Sequence, residues 1–192
     1  MIYLKHTLVS ILVILAVCFV PSDPTWAQEN VFGFNVGTVF GGEEEVYLDD
    51  PIDTWVDRKS GLILGGQYYK KLSPTFMVGG YGEYEALNTE GEDGSRFGFG
   101  LTYLGRYPGD LSKGLGFELG GALGFTFADL GDLDSQSGLD FEIFLGPVIQ
   151  IAPNMQGAIH LNGLYGWYSG GDVPEGVQNN RLALKLQIYR TF

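Results

Sequence analysis

Large apolar residues recur at every second position along this chain, in eight separate stretches. In the last, Leu182, Leu184, Leu186, Ile188 and Phe192 share one side, and Ala183, Lys185, Gln187, Tyr189 and Thr191 share the other. Successive side chains of a strand point to opposite faces, so this spacing predicts a strand with one apolar and one polar surface. The stretch from Leu115 to Phe127 repeats it: Leu115, Phe117, Leu119, Leu123, Phe125 and Phe127 oppose Gly116, Glu118, Gly120, Ala122, Gly124 and Thr126. Leu139, Phe141, Ile143, Leu145, Ile149 and Ile151 oppose Asp140, Glu142, Phe144, Gly146, Val148 and Gln150. Phe97, Phe99, Leu101, Tyr103 and Tyr107 oppose Arg96, Gly98, Gly100, Thr102 and Arg106. Stretches near 32–40, 62–70, 76–86 and 159–167 follow the same period less tightly.

The second face decides which way the strands turn. A soluble barrel of the lipocalin kind would put its large apolar residues inside. Here the opposing face is glycine, alanine and charge, which suits a narrow polar interior. The large residues are then expected to form a lipid-facing belt with aromatics at its rims. Phe40, Tyr84, Phe97, Phe127 and Trp167 are candidates for one rim, and Phe32, Phe76, Tyr103, Tyr107 and Phe192 for the other. Lipid cannot satisfy backbone polar groups, so such strands must close on themselves.

The connections follow the same logic. Gaps at 42–58, 87–95, 128–138 and 169–178 are long, whereas those at 72–75, 108–112 and 152–154 are short. An up-and-down barrel with both termini in the periplasm predicts this alternation. The expected fold class is therefore all-β, an eight-stranded up-and-down antiparallel transmembrane β-barrel. Pro147 fits it badly, because a closed barrel has no free edge to hide a missing donor; a place near a rim or at a bulge is expected.

The front of the chain predicts export. Lys5 and His6 precede an apolar run from Leu8 to Val20, and Thr25-Trp26-Ala27 offers the small residues a signal peptidase requires. That run of roughly 13 residues is short of the about 20 a spanning helix needs. Residues 1–27 are read as a cleaved signal peptide and residues 28–192 as the barrel domain. An uncleaved anchor is the alternative, and Leu15-Ala16-Val17-Cys18 partly fits a lipidation site, although Val17 stands where a small residue is expected. Cys18 is the one cysteine and would leave with the signal, so no disulfide is available to the rest. The formal charge of −12 argues against a nucleic-acid partner, and 30 glycines argue against long helices.

The signal, the eight alternating stretches and the terminal phenylalanine together resemble the small outer-membrane barrels of the OmpX, OmpA-transmembrane-domain and opacity-like porin group. The resemblance covers essentially all of the chain after the signal. It implies the outer membrane of a Gram-negative-type cell, a monomer surrounded by membrane lipid and lipopolysaccharide, and no cofactor. It also implies that the last strand is read by the barrel-assembly machinery, through Leu184, Leu186, Ile188 and Phe192. Arg190 departs from that pattern, since an aromatic or apolar residue usually stands third from the end.

The polar face carries the candidate chemistry. Glu83, Glu85, Glu118, Asp140 and Glu142 are expected inside, with Arg96, Arg106, Lys185 and His160. Charges in a narrow bore must pair or cost several kcal/mol, so a plugging salt-bridge network is expected; a narrow ion or solute path is the alternative. His160 and Asn162 lie in Ile159-His160-Leu161-Asn162-Gly163, which is similar to the His-x-Ser motif of PagL-type lipid A deacylases. Asparagine cannot serve as that nucleophile, so no catalytic residue is assigned and a non-enzymatic envelope or surface-binding role is expected. No cofactor-binding or metal-ligating residue is assigned either. The first long connection is acidic, with Glu43, Glu44, Glu45, Asp49, Asp50, Asp53 and Asp57 against Arg58 and Lys59, and the third carries Asp129, Asp132 and Asp134. Hard divalent cations favour such oxygens, although the frame of a calcium loop is missing. Tyr47, Trp55 and Tyr168 are expected as headgroup anchors.

Overall fold

The alternating stretches become eight strands. They are β1 (Asn30–Val46), β2 (Thr54–Ser73), β3 (Phe76–Thr89), β4 (Glu92–Tyr107), β5 (Leu115–Leu130), β6 (Leu133–Ala152), β7 (Met155–Gly170) and β8 (Val173–Thr191). The computed structural model describes residues 30–46, 54–89, 92–109, 111, 114–130, 133–170 and 173–192. The expected signal peptide lies outside them, as do Tyr47, Asp49, Asp50, Asp53 and Asp132. Each strand pairs antiparallel with its sequence neighbour, and β8 closes on β1. With no edge left, every strand has a partner on both sides.

β1 begins and β8 stops at the same end, where the Phe192 amide donates to the Asn30 carbonyl at 3.0 Å. This near end also carries the β2–β3, β4–β5 and β6–β7 turns; the far end carries the other four connections. The strands run steeply oblique to the barrel axis. Following paired residues from Val31 through Tyr69, Gly79, Thr102, Ala122, Glu142, Leu164 and Arg181 returns to β1 at Gly42, much further along the strand than it began. That stagger brings side chains distant in sequence to one level of the bore.

The large apolar residues face outward around the whole circumference. Leu62, Phe76, Leu101, Phe117, Leu139, Leu161 and Leu184, one from each of seven strands, are all exposed, as is Phe40 on β1. In water a continuous belt of this kind would be an aggregation surface. Against hydrocarbon it is the favoured one.

Several features differ from the sequence-based expectation. The strands run past the expected boundaries at the far end, so much of the four long gaps is strand. Glu43, Glu44 and Glu45 lie on β1, paired through the backbone with Asp57, Val56 and Trp55 of β2 and with Asn180, Asn179 and Gln178 of β8. Polar residues obscure the period-two signal there, while backbone pairing continues without it. Pro147 stands in a continuous register opposite Phe117. Pairing between β6 and β7 skips Gly146 and Pro147 and resumes at Val148–Ala158 in the same register, so the missing donor makes a gap and no bulge. Register shifts occur elsewhere, among them one between Val39 and Gly41 and one between Gln150 and Ala152. Lys185 of β8, expected opposite Asn162, is put opposite His160 by the register, which pairs Asn162 with Ala183.

Candidate functional site

The bore is the part of the molecule where chemistry-bearing side chains converge, and it is built in three levels. At the near end it is apolar. Val31, Met77, Leu104, Phe144, Val148 and Ala158 cluster with the rings of Tyr69 and Tyr189. The β4–β5 turn folds Leu111 into this cluster, where it is 3% exposed and fills the space that a side chain on Gly116 would need. The turn is pinned by hydrogen bonds from the Gly114 amide to Leu111 and from the Gln150 amide to Gly114. The expected inner face of glycine, alanine and charge is more apolar at this end: beside Phe144 and Val148, already on the inward face of β6 by alternation, β3 and β4 supply Met77 and Leu104.

A small ionic group adjoins this cap. Arg106 donates through Nε to Glu118 Oε1 at 2.7 Å, and its Nη2 lies 2.5 Å from the same oxygen. The other Glu118 oxygen is 2.8 Å from His160 Nε2 and accepts from the Tyr189 hydroxyl. Gln187 Nε2 lies 2.9 Å from His160 Nδ1. With Gln187 donating to Nδ1, the hydrogen on Nε2 is left to bond the carboxylate. The imidazole is fully buried and stacked on Phe144, with ring centroids 5.0 Å apart. Gly120 makes room for that phenylalanine: a side chain there would collide with the ring.

The larger network fills the middle and far levels. The Lys185 amine donates to Glu83 at 2.6 Å and to Glu142 at 2.8 Å, and the Asn162 amide donates to the same Glu142 oxygen. Arg96 spans three carboxylates, with Asp140 at 2.5 Å, Glu85 at 3.2 Å and Glu83 at 3.7 Å. Arg181 pairs with Glu85 from β8. Asp140 also accepts from the hydroxyls of Thr126 and Tyr168. A buried charge that has lost its water needs this density of partners.

No sequence-family model matches the chain, and no curated protein matches it. Solved structures do. Neisserial surface protein A is 12% identical with a TM-score of 0.54, the match covering 84% of this chain and 97% of that one. OprG, an outer membrane protein from Pseudomonas aeruginosa, is 12% identical with a TM-score of 0.56, covering 86% and 96%. The outer membrane protein AlkL, solved in DMPC lipid bilayers, is 14% identical with a TM-score of 0.55, covering 91% and 95%. This is the fold of a small eight-stranded outer-membrane β-barrel.

All ten polar residues singled out for the barrel interior are buried inside it. Glu83, Glu85, Arg96, Asp140, Glu142, Asn162 and Lys185 form the larger network, and Arg106, Glu118 and His160 the smaller. Leu184, Leu186 and Ile188 face outward. Phe192 is half-buried, and the Arg190 guanidinium lies 5.1 Å over its ring. Tyr168, expected as a headgroup anchor, instead turns into the bore, because the period of β7 places it with His160 and Asn162 and Asp140 takes its hydroxyl. The alternation of β8 puts Gln187 and Tyr189 on the inner face without singling them out as site residues, and Arg181 was missed because it stands where the apolar alternation has faded.

Proposed function

We propose that this barrel resides in the outer membrane of a Gram-negative-type cell as a closed, non-catalytic monomer, with both termini in the periplasm. Its role is structural or surface-interacting, supporting envelope integrity and binding through the far-end connections. The observation that carries this reading is the filled bore: an ion-paired middle and an apolar cap at Leu111 lie in series along one path. A side-chain plug of this kind suits a scaffold better than a conduit. Both His160 ring nitrogens are engaged by Glu118 and Gln187, and Asn162 is bound to Glu142, so neither is free to act on a lipid ester.

Recording from the purified, folded protein in planar bilayers tests this. Flat traces at all voltages are expected, and discrete conductance steps would overturn it. Loss of the gene is expected to raise detergent sensitivity of the cells.

The second reading is a narrow transport path for small solutes. It draws on Gln136 and Asn179, which face the bore near the far end, are buried, and keep amide atoms without a hydrogen-bond partner among the described residues. Such amides suit a hydrated mouth. Titration calorimetry with calcium separately tests whether the acidic far end holds divalent cations; a heat that chelator abolishes is the supporting result.

A further inference from the structure

The near-end rim of the outer surface holds an unusual pair. Lys70 on β2 and Arg190 on β8 are both exposed and outward-facing, on either side of β1. Lys70 is paired with Asn30, and Arg190 with Phe32. Among the described residues they are the two charged side chains on the outward face at this end, and neither meets a carboxylate. Strands on either side of a common partner stand about 10 Å apart, and the two-residue offset between Asn30 and Phe32 lengthens the separation to about 12 Å, a gap that two long cationic side chains can close on one small anion.

The surroundings are those of a membrane interface. Arg190 is stacked on Phe192, and the Tyr68 hydroxyl donates to Asn30 at 2.8 Å between the two cations. Arginine binds phosphate through a planar fork, and lysine binds it as a point charge. The barrel wall immediately above is apolar, with Phe34, Leu186 and Ile188 facing out. The outward residue above Tyr68 on β2 is Gly66, and its β3 partner Gly82 leaves the wall low there, since a side chain built on Gly82 would meet nothing within 4 Å. A ligand fitting both parts has a phosphate head and an acyl tail.

We propose that Lys70 and Arg190 form a clamp for the phosphate of an anionic phospholipid in the leaflet that meets the near end. This deepens the outer-membrane reading and rests on its orientation, because the near end meets phospholipid only if it faces the periplasm. Arg190, a departure from the assembly pattern, thereby gains a role of its own.

Native mass spectrometry of the folded full-length chain tests the clamp, with phosphatidylglycerol, phosphatidylcholine and lipid A as probes. The wild-type protein is expected to retain one phosphatidylglycerol. The double variant Lys70→Gln, Arg190→Gln is expected to lose about tenfold of that binding, and Leu72→Gln, a nearby uncharged control, to keep it. Equal retention by wild type and double variant overturns the proposal. Lipid A displacing phosphatidylglycerol in a Lys70- and Arg190-dependent way overturns the choice of phospholipid. Heat-dependent gel mobility shows whether each variant folds, and if the double variant does not, each single variant is expected to show a partial loss. Protease accessibility of the far end in intact cells tests orientation independently, so failure of that reading is distinguishable from failure of the clamp.

Discussion

The Lys185 amine, on β8, lies 2.6 Å from a Glu83 oxygen on β3 and reaches across the bore past β1 and β2 to do so. The same amine holds Glu142 on β6, so one cation ties three separated strands together. Replacing it with an apolar residue of similar length leaves two buried carboxylates without their partner. Lys185→Met is expected to destabilise the folded barrel by about 3–5 kcal/mol. Urea titration in detergent, followed by heat-dependent gel mobility, measures it. The triple change Lys185→Met, Glu83→Gln, Glu142→Gln is expected to recover much of the loss, because it removes the stranded charges as well.

The two faces of β8 predict opposite responses to charge. Leu186 faces lipid and its neighbour Lys185 faces the bore. Leu186→Arg is expected to cost about 2–4 kcal/mol if the site lies near the bilayer midplane. The same substitution at Lys70, already a cation at the rim, is expected to be close to neutral. Refolding into lipid vesicles of defined composition compares them.

Much of this architecture was legible in the residues, and the limit has a physical cause. Alternation assigns each side chain to a face, so Glu118 and Asp140 could be placed inside and Phe117 and Phe141 outside without coordinates. It says nothing about which interior residues meet. The Lys185–Glu83 bond depends on how far the strands are staggered around the closure, a property of the whole cylinder. Arg181 was missed because Asn179 and Asn180 beside it carry no apolar signal, and Leu111 because a turn residue has no period to read.

Two barriers in series predict how permeation responds to mutation. Leu111→Gly removes part of the near-end cap while the Lys185 and Arg96 ion pairs persist, so this variant is expected to remain electrically silent. Combining it with Lys185→Gly and Arg96→Gly is expected to produce conductance steps in planar bilayers. Conductance from Leu111→Gly alone would show that the ionic level is already open to water.

Gly146 lies where β6 and β7 interrupt their pairing, and a side chain there would collide with the carbonyl oxygen of Ile159. That carbonyl is backbone and cannot swing aside. Gly146→Ala is expected to lower the yield of folded barrel by several-fold, and Gly163→Ala, with nothing within 4 Å, to leave it unchanged. Folding yield from urea into detergent micelles compares the two.

The interlocked bore also shapes how such a chain can diverge. An interior residue such as Arg96 answers to carboxylates on β3 and β6 at once, so its replacement is tolerated only with matching changes on other strands. The outward residue beside it, Phe97, has only to remain apolar and of similar bulk. Within a single strand, alternate positions are therefore free to drift at very different speeds. Descendants of one ancestor could keep the same cylinder while their outer surfaces lose all resemblance.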